Sequence, residues 1–108
     1  MVASLKPEEV AERIRSHPEE YVLLDVRELD EREIGSIEPS MHIPMNEVPN
    51  RLSEIPKDKK LIVYCHHGNR SMMVASYLHG AGYRDLSNLE GGIDAWSRQV
   101  DRSVRRYS

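Results

Sequence analysis

Leu61-Ile62-Val63-Tyr64-Cys65-His66-His67-Gly68-Asn69-Arg70-Ser71 runs from a continuous apolar stretch into a polar loop, and an apolar periodic segment, Met72 to His79, follows it. Four consecutive apolar residues are the signature of a strand covered on both faces, whereas the segment beyond the loop has helical spacing. The stretch therefore reads strand, loop, helix, the building unit of a parallel sheet.

Outward from it the pattern repeats. Tyr21-Val22-Leu23-Leu24 is a second buried-strand run and ends in Asp25-Val26-Arg27. Tyr83 to Leu89 is long enough for one more short strand. Near the start, Pro7 suits the first turn of a helix, Glu8 and Glu9 complement its dipole, and Val10, Ala11 and Ile14 form its inward stripe. That helix is expected to stop before Pro18. The charged stretch Glu28 to Glu33 reads as a solvated turn or short helix, and Gly35, Pro39 and Pro44 keep the chain irregular as far as Met45. Asn46 to Leu52 is expected to be a short helix capped by Asn46 and stopped ahead of Pro56. Gly80 and Gly82 suit the end of the helix that follows the loop, and Gly91-Gly92 turns the chain. Ile93 and Trp96 share a helical face, and residues 98–108, rich in Arg, are expected to form a frayed basic helix or tail.

The 108 residues fit one α/β domain spanning 1–108, with a mainly parallel sheet between helices on both faces. In such folds sites collect beyond the carboxyl ends of the strands, where Asp25-Val26-Arg27 and the Cys65 loop both fall. Fifteen Lys and Arg against eighteen Asp and Glu argue against a nucleic-acid binder that relies on a basic surface. No apolar run approaches the length that crosses a bilayer, and Met1 to Glu9 lacks a signal-peptide core, so a cytoplasmic location without membrane attachment is expected.

One cysteine cannot close an intrachain disulfide and has no companion thiol for a metal cluster, so neither metal nor cofactor is expected. Its use is nucleophilic, intermolecular or structural. A thiol attacks as the thiolate, which is favoured by a helix N-terminus, a nearby cation and unpaired backbone N–H groups. Gly68 permits a tight path, the amides of residues 66 to 70 can form an anion nest, Arg70 adds a permanent charge, and Ser71 can cap the helix or bond to sulfur. A buried core cysteine is the plainer reading of Cys65 alone. The Gly, Arg and Ser that follow at a strand-to-helix junction favour a reactive site.

His66 and His67 read as rim residues that shape access, with no carboxylate placed by sequence to orient either. Asp25 and Arg27 read either as an ion pair that braces the site or as a satisfied edge pair, structural bracing being favoured over catalysis. Met72 and Met73 suit packing and the pocket rim, and the acidic run at Glu28, Asp30, Glu31 and Glu33 suits a solvated face. Arg98, Arg102, Arg105 and Arg106 suit a solvated terminal helix better than an acidic partner.

The loop Cys65-His66-His67-Gly68-Asn69-Arg70-Ser71 resembles the active-site loop of single-domain rhodanese-like sulfurtransferases. Leu23-Leu24-Asp25-Val26-Arg27, His42-Ile43-Pro44 and Leu89-Glu90-Gly91-Gly92-Ile93-Asp94-Ala95-Trp96 resemble further motifs of that family. The resemblance runs from near residue 5 to residue 97, and departs where Gly35-Ser36-Ile37 replaces the Gly-His-Ile of many relatives. It implies a five-stranded, mainly parallel sheet and sulfur transfer through a Cys65 persulfide, from a donor such as thiosulfate to cyanide, a thiol or a protein dithiol. It also implies that His66, His67, Gly68, Asn69, Arg70 and Ser71 contact substrate, with Arg27 a further candidate and Asp25 in support. A second thiol is lacking in the chain, so the acceptor must be a small thiol or a partner protein. The rival enzyme is a cysteine phosphatase or arsenate reductase, whose loops enclose one residue more than the four between Cys65 and Arg70. The rival outside enzymes is a rhodanese-like binding or sulfur-relay module.

Overall fold

The apolar run Leu61–Tyr64 lies at the centre of the sheet. In the computed structural model, which describes residues 2–108, the elements in chain order are β1 (Ala3–Leu5), α1 (Pro7–Ser16), β2 (Tyr21–Asp25), α2 (Leu29–Ile34), β3 (Met41–His42), a 3-10 segment (Met45–Glu54), β4 (Lys60–Tyr64), α3 (Asn69–Gly80), β5 (Leu86–Leu89) and α4 (Gly92–Gln99). The five strands stand in the order β1-β5-β4-β2-β3, every neighbouring pair parallel. Among the described residues no helix is long and apolar enough to cross a membrane.

Alternation along the buried strands divides the core in two. Leu61, Val63 and Cys65, with Leu24 and Val26, face Val74, Ala75 and Leu78 of α3 and Val48 of the 3-10 segment. Ile62 and Tyr64, with Leu23 and Leu89, face Val10 of α1 and Ile93 and Trp96 of α4. Both faces of β4 from Leu61 to Tyr64 are thus dry, which is why that run is uninterrupted by polar residues.

Several elements differ from the sequence expectation. β1 and β3 were hidden, the latter within the stretch read as irregular. They are edge strands of three and two residues held by the backbone ladder, too short to show a period. The third strand covers only Leu86–Leu89 of the Tyr83–Leu89 window, because Tyr83 turns inward and its hydroxyl donates to the carbonyl oxygens of Leu52 and Ile55. The helix expected over Asn46–Leu52 is 3-10, starts from Pro44 rather than an Asn46 cap, and carries Pro49, which has no N–H for the helical ladder. Helix α3 starts at Asn69, three residues before the periodic apolar segment. Of residues 98–108, expected to form a frayed basic helix or tail, 98 and 99 belong to α4, and the rest pack back on the domain: Ser97 Oγ donates to Val104 O at 2.6 Å, and Val104 and Tyr107 pack against the cluster that includes Ile37.

α4 begins directly beneath the Cys65 loop. The amides of Ile93 and Asp94 donate to the carbonyls of Cys65 and His66 at 2.9 and 3.1 Å. This approach requires glycine at 92, where φ is +64° and a Cβ would stand 2.3 Å from the His66 oxygen. Gly92→Ala is therefore expected to destabilise the fold by about 2 kcal/mol or more, read as a lowered urea midpoint at unchanged slope.

Candidate active site

The loop that follows β4 closes around sulfur. Gly68, at φ +112°, lets the chain reverse and enter α3. As a result the Gly68 and Ser71 amides donate to Cys65 Sγ at 3.1 and 3.3 Å. Ser71 Oγ lies 3.3 Å from Sγ and donates to Asn88 Oδ1, while Asn88 Nδ2 donates back to Gly68 O. Ser71 is thus within the first turn of α3 and serves the sulfur rather than capping the helix. Convergent N–H groups at a helix start are complementary to negative charge on Sγ or on an atom attached to it. Cys65 is a free thiol only 1% exposed.

Arg70 does not swing freely above the sulfur. Its two terminal nitrogens donate to the two carboxylate oxygens of Glu31 at 2.7 and 2.8 Å, a bidentate pair linking α3 to α2. The Arg70 bonds hold the Glu31 carboxyl down at about 2, and Tyr107, whose hydroxyl donates to Glu31 at 2.7 Å, adds to the effect. Glu31 is therefore part of the site, whereas the sequence suggested a solvated face for it. Asn69 is exposed at the first position of α3.

His66 and His67 form the rim, their rings 3.9 Å apart. His66 also stacks on Tyr107 at 3.9 Å and 11°, and its Nε2 lies 2.8 Å from Tyr107 O. Burial, with the neighbouring His67 adding to it, depresses the basicity of His66. The structure supplies a carboxylate that the sequence did not place: Asp94 Oδ2 stands 3.9 Å from His67 Nε2. His66, His67 and Asp94 could together offer ligand atoms within 4.8 Å of one another. Asp94 is already bonded to Arg98 and Arg106, and these pairings hold its carboxyl low, Arg106 foremost.

Beneath the loop, Asp25 and Arg27 are both fully buried. Arg27 donates to Asp25 through Nε at 2.9 Å and Nη2 at 2.7 Å, and its remaining donors reach Glu31 O, Gly35 O and Tyr107 Oη. All five side-chain N–H donors of Arg27, the further substrate-binding candidate, are engaged within the protein. Asp25 also accepts from the Arg27 amide, Arg32 and Tyr64. Burial pushes its carboxyl upward, but the Arg27 bonds prevail and hold it below the ordinary range.

Sequence reasoning missed Asn88, Glu31, Asp94 and Tyr107 as site neighbours. A signal existed for Asn88, a polar residue between Leu86 and Leu89 in a strand that needs apolar ones. The others are brought in by tertiary packing alone.

Comparison with known proteins gives a consistent picture. The family described as Rhodanese-like domain matches residues 6–99. A protein of Allochromatium vinosum named "Sulfurtransferase" is 39% identical over 98 residues, 91% of each chain. A "Thiosulfate sulfurtransferase GlpE" of Pseudomonas syringae pv. syringae is 36% identical over 90 residues, 83% of each chain. The crystal structure of a rhodanese-related protein from Thermoplasma volcanium superposes with a TM-score of 0.82 at 35% identity, covering 91% of this chain and 93% of that one.

Two outcomes follow from the geometry. Asp25→Ala leaves Arg27 buried without its counter-charge and is expected to cost about 3–5 kcal/mol, measured by urea unfolding. Because the folded Glu31 carboxyl ionises at about 2 against an ordinary 4.5, the stability it contributes is complete above pH 4.5 and drains away as pH falls towards 2. The stability gap between wild type and Glu31→Gln should accordingly narrow across that acid window in denaturation curves.

Proposed function

The chain belongs to the rhodanese-like family, and we propose that it is a cytoplasmic sulfurtransferase that carries sulfane sulfur as a persulfide on Cys65, with thiosulfate as donor. The observation that carries this reading is the pair of amides, Gly68 and Ser71, aimed at Cys65 Sγ. Such a cradle holds a compact anionic sulfur and leaves little for selecting the rest of a substrate.

In the first half-reaction the Cys65 thiolate attacks the outer sulfur of thiosulfate. The new bond is Cys65 S–S, the S–S bond of thiosulfate breaks, and its electron pair leaves with sulfite. The charge now rests on the terminal persulfide sulfur, within reach of the loop's N–H groups. In the second half an acceptor thiolate or cyanide attacks that terminal sulfur, the Cys65 S–S bond breaks, and the thiolate is regenerated. No proton or electron is gained or lost over the cycle, so no cofactor is called for. Arg70, oriented by its pairing with Glu31, offers at the loop's edge the guanidinium N–H groups that the carboxylate does not take, and His66 and His67 line the approach. Small thiols or a partner protein serve as acceptor, since Cys65 is the only thiol present.

Intact mass measurement after incubation with thiosulfate tests the reading, beside a Cys65→Ser control. Wild type is expected to gain one sulfur atom, which a reducing thiol removes, and the variant none. Absence of the added sulfur from wild type with thiosulfate and with other sulfane donors would overturn it.

A further inference from the structure

Residues 100–108 lie beyond the region matched by the family, yet they return to the Cys65 loop. Tyr107 touches that loop's supports on both sides. Its hydroxyl donates to Glu31 Oε2 and accepts from Arg27 Nη1 at 3.1 Å, so its proton and a lone pair are both engaged. Its ring stacks on His66, the residue after the nucleophile, and its carbonyl meets the same imidazole. Through Glu31 it reaches Arg70, five positions after the nucleophile. The tail is held in turn by Arg106 on Asp94 and by Val104 O on Ser97.

We propose that Tyr107 is a positioning residue for sulfur transfer: it fixes the Glu31–Arg70 pair and the His66 rim, and so sets where an anionic donor meets positive charge beside Cys65. This inference rests on the sulfurtransferase reading for its kinetic consequence but not for its geometry. Without the phenol, Glu31 loses a donor and Arg70 loses a rigid mount. Without the ring, the His66 imidazole loses its stacking partner. A cradle that must be ordered afresh by each donor binds it more weakly than one already in place.

The test compares wild type, Tyr107→Phe and Tyr107→Ala by two readouts. With thiosulfate as donor, Tyr107→Phe is expected to raise KM about fivefold with kcat within about twofold, the size of one ordinary net hydrogen bond, since the loss is felt through Glu31 rather than by the donor directly. Tyr107→Ala, which also removes the stack, should raise KM further and lower kcat. The second readout is the rate of Cys65 alkylation by anionic iodoacetate divided by that by neutral iodoacetamide. A general loosening accelerates or slows both reagents together, whereas displacement of Arg70 lowers the ratio, about threefold or more being expected. Tyr107→Phe keeps the packing of the ring, so a result from it is not confounded by misfolding, which thermal melts would confirm. Unchanged ratio and unchanged KM in both variants would overturn the proposal, as would a uniform rise in reactivity towards both reagents, which would make the tail a shutter. Failure of wild type to accept sulfur would defeat the functional reading alone, since the alkylation ratio judges the position of Arg70 regardless.

Discussion

A single buried ion pair, Asp25 with Arg27, holds the functional edge of this protein together. Both side chains are withdrawn from water, so each must find its full set of partners, and those partners lie on different elements. Asp25 reaches Tyr64 on β4 and Arg32 on α2, while Arg27 reaches the Glu31 carbonyl within α2, the Gly35 carbonyl and Tyr107 of the tail. Even the Arg27 carbonyl is engaged, by His42 Nε2 at 2.7 Å from β3. The cost of leaving any of these groups unmet ties β2, β4, α2 and the tail to one another.

The loop itself is gripped from below and from the side. From below, α4 starts so close that no side chain fits at position 92, and its amides take the carbonyls of Cys65 and His66. With those carbonyls turned towards α4, the amides of Gly68 and Ser71 are left to face sulfur. From the side, Asn88 bridges Ser71 and Gly68, so β5 fixes the inner wall. Each contact is ordinary in strength, and together they define a concave array of donors that exists before any ligand arrives.

The parts legible in the sequence were those that physics writes locally. Strands buried on both faces leave continuous apolar runs, so β2 and β4 could be read directly, and the loop between β4 and α3 declares itself through Cys65, Gly68, Arg70 and Ser71 in close succession. Strands β1 and β3 are edge pieces whose stability comes from ladders to β5 and β2, and nothing within Ala3–Leu5 or Met41–His42 reveals a partner. The acidic run around Glu31 looks solvated because charge density alone carries no direction. Only the folded chain shows that Glu31 turns to Arg70 while Glu28 and Glu33 remain exposed. Tyr107 is equally silent, one aromatic among terminal arginines.

The strand order carries a consequence for how such a chain comes into being. β1 has one neighbour, β5, so Ala3–Leu5 waits for Ser87–Leu89 before it can join the sheet. A chain emerging in sequence from the ribosome therefore makes its first strand early and places it almost last. Cys65 is likewise translated well before Asn88, Gly92 and Tyr107, which surround its loop. In vectorial synthesis the amides of Gly68 and Ser71 are brought to bear on Cys65 only after the scaffold that shapes its loop has been completed, and the nascent chain carries that thiol uncradled until then.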